Sequence, residues 1–175
     1  ANSGGKIELR LDSATGTLIG TCDVSTTGGW QTWTTKTCTV SGAKGKHDLY
    51  LKFTGGSGSL FNFNWWKFTG TDPVDTPTPF FTPTPEPTPL PQTAFSKVEA
   101  ENYSSQTGID TESCSEGGED VAYIEDGDYT VYNNLDFGNG AKSFLARVSS
   151  GTSGGNIEIR LDSITGTLIG TCPVK

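Results

Sequence analysis

Acids dominate the chemistry open to this chain of 175 residues. Twenty Asp and Glu stand against twelve Lys and Arg, and His47 is the single imidazole. Reactions that need several imidazoles are nearly excluded. His47 and Asp48 are neighbours in an alternating run, so their side chains face opposite ways and cannot act as base and orienter. No two carboxylates stand in a recognisable catalytic pair. Glu99 and Glu101, by contrast, share one face of a predicted strand. Their mutual repulsion there is unfavourable without a cation, and paired hard oxygens of this kind suit calcium; the alternative is a solvated edge. The stretch EDGD at 125–128 lacks the remaining spacing of an EF-hand and reads as a turn. Cys22, Cys38, Cys114 and Cys172 show no CxxC spacing and no His neighbour, which argues against zinc. Trp30 follows STTGG, a polar stretch that gives it little reason to be core, and so stands out as an exposed functional aromatic. Trp33, three residues on, reads as packing. Trp65 and Trp66 are adjacent, so in a strand one enters the core and the other faces out.

The formal charge of −8 and a pI near 4.5 argue against nucleic acid or an anionic membrane surface as partner. No apolar run approaches the roughly 18 residues of a membrane span. The absence of Met predicts a processed piece of something longer. Neutral ligands and cations remain.

The elements that must position these residues are not all distinct. Residues 3–22 and 153–172 match at 17 of 20 positions, at a constant offset of 150. Residues 71–92 carry eight of the nine prolines. That stretch favours extended polyproline geometry and reaches on the order of 65 Å at ~3.1 Å per residue, which reads as an inter-domain linker. The expected organisation is therefore residues 1–70 as the back part of a module, 71–92 as a Pro/Thr-rich linker, and 93–175 as the front part of a sister module. Overlaying the repeat yields one module of about 127 residues, with one copy surplus. Either part alone would struggle to bury a core. Folding together as an intrachain circular permutant, or by exchange between chains, are the two expectations.

Within the parts, apolar residues alternate. Ile7, Leu9 and Leu11 oppose Glu8 and Arg10; Leu49, Leu51 and Phe53 oppose Asp48, Tyr50 and Lys52; Phe144, Ala146 and Val148 share a face. Thr-rich TWTTKTCTV adds strand propensity, and Gly/Asn/Asp/Ser clusters punctuate at roughly ten-residue spacing. No window sustains a helical period. The pattern predicts an all-β sandwich. Cys22 and Cys38 flank the turn near Trp30 symmetrically, as cross-strand partners would, and a disulfide between them is expected in a secreted context.

Several segments resemble the family 6 carbohydrate-binding modules attached to bacterial plant-cell-wall hydrolases, above all the tandem modules of clostridial xylanases. The carrying motifs are VEAENYSS at 98–105, YIEDGDYTVYNNLDFG at 123–138, the repeated IELRLDSATGTLIGT, GGWQTW at 28–33 and LFNFNWWKF at 60–68. The resemblance spans everything except the linker, with the motifs in permuted order. It implies a β-jelly roll, a structural calcium and an aromatic sugar cleft in the loops at one end. It maps a two-ring clamp onto Trp30 and Tyr123, the amide that bonds sugar hydroxyls onto Asn62, and a rim acid onto Glu112. It also gives the Glu99–Glu101 pair a third calcium ligand in Asn64, where many relatives carry Asp. In some members the outer sheet face, here that of whichever of Trp65 and Trp66 points outward, forms a second sugar site.

The implied function is non-catalytic: a secreted module recognising xylan or a related β-glycan and holding an appended hydrolase on it. A glycosidase fragment and a structural or assembly piece with an incomplete cleft are the alternatives. Covering both faces of one sugar ring buries ~100–150 Å², or roughly 3 kcal/mol, which after association costs leaves micromolar-to-millimolar binding.

Overall fold

The computed structural model describes residues 4–70, 92–151, 154–164 and 168–173. The Pro/Thr-rich linker expected over 71–92 therefore lies outside the described residues, except that Gln92 already belongs to a strand.

In chain order the strands are β1 (Gly4–Leu11), β2 (Thr15–Val24), β3 (Gly29–Thr39), β4 (Lys46–Gly55), β5 (Asn62–Gly70), β6 (Gln92–Thr93) and β7 (Val98–Glu99). They continue with β8 (Ser105–Thr107), β9 (Asp110–Ser113), β10 (Glu119–Ala122), β11 (Tyr129–Asp136), β12 (Ala141–Ser150), β13 (Gly154–Ile164) and β14 (Leu168–Pro173). No helix occurs among the described residues, and the strands form two sheets, as the period-two alternation requires. This is the expected all-β sandwich.

The first sheet is built around β4, which pairs β1 on one edge and β11 on the other. Its apolar faces meet residue for residue: Ile7 opposite Phe53, Leu9 opposite Leu51 and Leu11 opposite Leu49, all six fully buried. The second sheet runs β3-β12-β5-β10-β9, with β7 on β5. There Phe144 lies opposite Phe68, Ala146 opposite Trp66 and Val148 opposite Phe63. The core sits between these faces. Phe53 of the first sheet packs edge-on against Phe63 of the second, and Trp66 packs edge-on against Tyr132 with ring centroids 4.9 Å apart. Trp66 is core and Trp65, half-buried, points outward with the Lys97 ammonium over its ring. Cys22 and Cys38 form a disulfide, with Cα atoms 5.7 Å apart.

The two copies of the repeat share one register against β4. β13 sets Ile157 opposite Phe53 and Leu161 opposite Leu49, the partners that β1 gives Ile7 and Leu11. β11 occupies the other edge of β4. Near-identical sequences give β1 and β13 the same register on β4, because register follows the hydrophobic pattern.

Antiparallel pairing in the second sheet brings several ends to one rim. The start of β3 lies beside the end of β12, the end of β12 beside the start of β5, and the end of β10 beside the starts of β5 and β9. The turn joining β9 to β10 lies at the opposite end of that hairpin.

Candidate functional site: an aromatic cleft and an acidic pocket

Trp30, Ser59, Asn62, Glu112, Ala122 and Tyr123 line a cavity of about 300 Å³ at this rim. All four residues expected to contact sugar are therefore brought together, although they lie far apart along the chain. Among the described residues, Trp30 (39% exposed) and Tyr123 (59% exposed) are the exposed large hydrophobic side chains. Leaving two aromatic rings in water is unfavourable for folding, and both face the same opening.

Local backbone irregularities aim the two rings. Along β3 and β12 the register steps from Trp33 opposite Ser149 to Gly29 opposite Ser150, so residues 30–32 bulge out of the ladder. A bulge re-aims the side chains it carries. Ser149 Oγ donates to the Trp30 carbonyl in place of a ladder bond. Gly151 lets the indole lie close, since a Cβ there would come within 2.8 Å of Trp30 Nε1. Tyr123 follows β10 with φ of 58°, a left-handed conformation that costs a tyrosine on the order of 1–3 kcal/mol. It turns the ring outward just where the strand ends.

The polar wall is a connected network. Asn62 is buried, and its Nδ2 donates to Glu112 Oε1 at 2.7 Å. Gln31 Nε2 donates to the same oxygen and to Asp120 Oδ2, each at 3.0 Å. Asp120 is fully buried, with its Oδ1 unpartnered among the described residues. Burial pushes its carboxyl up to about 6, helped by the Glu112 charge and opposed by the Gln31 bond. Sequence reasoning missed Gln31, Asp120 and Ser59. Asp120 lies opposite Glu112 in the β9–β10 ladder, and a short acidic hairpin gives no sign in sequence of which acid turns inward. Trp33, expected to pack, lies half-buried and donates from Nε1 to Ser115 Oγ at 3.0 Å.

A second cavity of about 440 Å³ lies at the turn end of the β9–β10 hairpin, lined by Asn64, Trp65, Lys97, Glu99, Glu101, Glu116, Gly117 and Gly118. The three expected metal-ligating residues thus share one pocket. Their strand placement differs from expectation: β7 stops at Glu99 and Glu101 lies in the following turn. Glu101 Oε2 is buried with no partner among the described residues. Burial raises its carboxyl above the usual range, and the Glu99 and Glu119 charges raise it further, against an opposing backbone hydrogen bond. Lys97 Nζ reaches Glu99 Oε1 at 2.7 Å. Asn64 Nδ2 donates to Glu116, which Arg147 also grips, holding the Glu116 carboxyl below its ordinary value. Among the described residues no three His, Cys, Asp or Glu side chains cluster as a metal group, so a cation here would also need amide or carbonyl oxygens. The orphaned Glu101 oxygen is the observation that fits a hard cation.

The aspartates of the 125–128 turn and those beside His47 have structural partners. In the 125–128 turn Asp126 accepts from the Gly55 amide and Asp128 from the Glu125 amide. His47 bonds Asp12 and the Lys44 carbonyl, while Asp48 accepts from the Asn134 amide. His47 and Asp48 therefore serve different partners.

A sequence profile described as "Carbohydrate binding module (family 6)" matches residues 1–70 and 99–175. The chain belongs to carbohydrate-binding module family 6. The matched segments lie on either side of the Pro/Thr-rich stretch. Among curated proteins the module is 38% identical over 167 residues to an endo-1,4-beta-xylanase A of Thermoclostridium stercorarium, covering 94% of this chain and 30% of that protein. It is 37% identical over 154 residues to an arabinoxylan arabinofuranohydrolase of Paenibacillus polymyxa, covering 87% and 21%. It is 30% identical over 164 residues to the clotting factor G alpha subunit of Tachypleus tridentatus, covering 92% and 22%. The chain spans less than a third of the length of each of these relatives. No solved structure matches significantly.

Proposed function

We propose that this family 6 module is a secreted, non-catalytic binder of xylan or a related β-glycan, and that it holds an appended plant-cell-wall hydrolase on its substrate. One observation carries the reading: the exposed aromatic rings of Trp30 and Tyr123 open onto one cavity walled by Asn62 and Glu112. A sugar ring presents a weakly apolar C–H face rimmed by hydroxyls. Two rings clamp the faces, while an amide and a carboxylate serve the rim. The printed activities of the xylanase and arabinofuranohydrolase relatives favour xylan as the glycan.

Affinity electrophoresis in oat-spelt xylan tests this. Retardation of the wild type, lost in Trp30→Ala, supports it. An unretarded wild type refutes it, and release of reducing sugar would establish a glycosidase instead.

Two further points belong to this reading. Calcium is its structural ion, held by Glu99, Glu101 and Asn64, where it would neutralise the orphaned Glu101 oxygen and tie the β7 turn to β5. The two parts of the chain complete one sandwich, supported by β12 lying between β3 and β5. Because one edge of β4 holds one strand at a time, the copies 3–22 and 153–172 are alternatives for that slot. The Cys22–Cys38 bridge favours copy 3–22 as occupant. A monomeric solution mass supports pairing within one chain, and an oligomer series supports exchange between chains.

A further inference from the structure

The bulge that presents Trp30 leaves Gln31 outside the β-ladder, between Gly29 opposite Ser150 and Trp33 opposite Ser149. A segment freed from regular pairing is held only by what its side chains and carbonyls find. Ser149 takes the Trp30 carbonyl, and Gln31 supplies the rest. Its Nε2 donates one hydrogen to Glu112 Oε1 and one to Asp120 Oδ2, while its Oε1 accepts the Ser115 amide at 2.8 Å. Ser115 Oγ lies 3.4 Å from the Gln31 carbonyl and also receives Trp33 Nε1. A single side chain thus ties the Trp30 bulge to both strands of the β9–β10 hairpin and to its turn. Through Glu112 Oε1, which also accepts from Asn62, it touches the polar wall.

We propose that Gln31 is the positioning residue of the sugar cleft, fixing the spacing between the Trp30 ring and the Asn62–Glu112 wall through its two-carboxylate bond. The inference rests on the sugar-cleft reading above. Gln31 lines no part of the cavity, so its effect on binding is exerted through its neighbours. Its amide also separates two carboxylates that face each other in the ladder; only a two-hydrogen donor serves both. The groups facing it are Glu112 from β9, Asp120 from β10 and the Ser115 amide from the turn. Cys114 and Glu101 lie near Asp120, β5 contributes the uncharged Asn62, and Arg147 of β12 is engaged by Glu116.

The test is calorimetric titration of xylohexaose into wild type, Gln31→Met and Gln31→Glu between pH 5 and pH 8, with thermal melts alongside. Gln31→Met keeps the length and removes the three side-chain hydrogen bonds; the expected loss is about 5–20-fold in affinity at all pH values. Gln31→Glu sets a third carboxyl against Glu112 and Asp120, so it binds as weakly at pH 8. At pH 5 a proton on the new carboxyl replaces one amide hydrogen and the Asp120 carboxyl, raised to about 6, supplies its own, so a large part of the affinity returns. A merely structural defect would appear in the melts as unfolding at pH 8, whereas the proposal requires the affinity to fall there in protein that remains folded. If Gln31→Met does not fold, the pH profile of Gln31→Glu decides alone. Wild-type affinity in both variants, or a loss in Gln31→Glu that is flat with pH, overturns the proposal. A wild type that binds no β-glycan instead overturns the sugar-cleft reading on which it rests.

Discussion

The two ends of the β9–β10 hairpin hold cavities of similar size and opposite character. At the open end the Glu112 carboxylate accepts from two amides, and two aromatic rings stand in water. At the turn end Glu101 keeps an oxygen with no partner among the described residues, and only the outward Trp65 lies near, under Lys97. Asn62 and Asn64, two residues apart in β5, serve one cavity each. The difference teaches what each end lacks. A site whose amide and carboxylate hold each other in place beside two bare rings wants an apolar face with hydroxyls around it. A site with carboxylate oxygen to spare wants positive charge.

Predictions follow the same contrast. The largest effect is expected at the rings: Tyr123→Ala removes one wall of the clamp and lowers xylan affinity roughly 30–100-fold, about 2–3 kcal/mol, with an unchanged melting temperature. Retardation equal to wild type in affinity electrophoresis would merge the two ends into one featureless surface. At the acidic end the readout is stability. If calcium occupies that pocket at ~100 times its dissociation constant, EDTA removes about 2.7 kcal/mol and lowers the melting temperature, and Glu101→Gln abolishes that response. A melt indifferent to EDTA means no structural metal.

A buried acid between the two ends gives a pH signature. Asp120 is raised to about 6 in the folded protein, against a carboxylate's usual value near 4. Between those values the native state holds the proton and the unfolded state does not. This group's contribution therefore falls as pH rises from about 4 to about 6, by roughly 2–3 kcal/mol, and is flat above. Relative to wild type, Asp120→Asn should gain stability across that window and track it in parallel at higher pH, as measured by urea unfolding from pH 4 to pH 8. The smaller expectation is Asn62→Ala, about tenfold weaker in sugar affinity, since one amide bond is lost and Glu112 keeps its Gln31 partner.

Much of this was legible in the chain. Alternation alone gave Ile7, Leu9 and Leu11 one apolar face and Leu49, Leu51 and Phe53 another, because period two leaves a strand one apolar face; the pairing of the two strands came from the structure. The position of Trp30 after two glycines marked it as exposed. Gathering Tyr123, Asn62 and Glu112 around it required the family resemblance, since these residues meet only through antiparallel pairing of distant strands. Gln31 escaped notice because its importance comes from a bulge, which no alternation pattern records. Asp120 escaped because Glu119 and Asp120 read alike until the hairpin turns one inward. The strand expected through Glu101 ends at Glu99, where the chain turns.

The central claim is that sugar binds at the aromatic rim and not on the outer face beside the acidic pocket. Titrating xylohexaose into Trp30→Ala and Trp65→Ala side by side tests it. Binding at the rim predicts no measurable heat for Trp30→Ala and affinity within about twofold of wild type for Trp65→Ala. Binding retained without Trp30 and lost without Trp65 would contradict it.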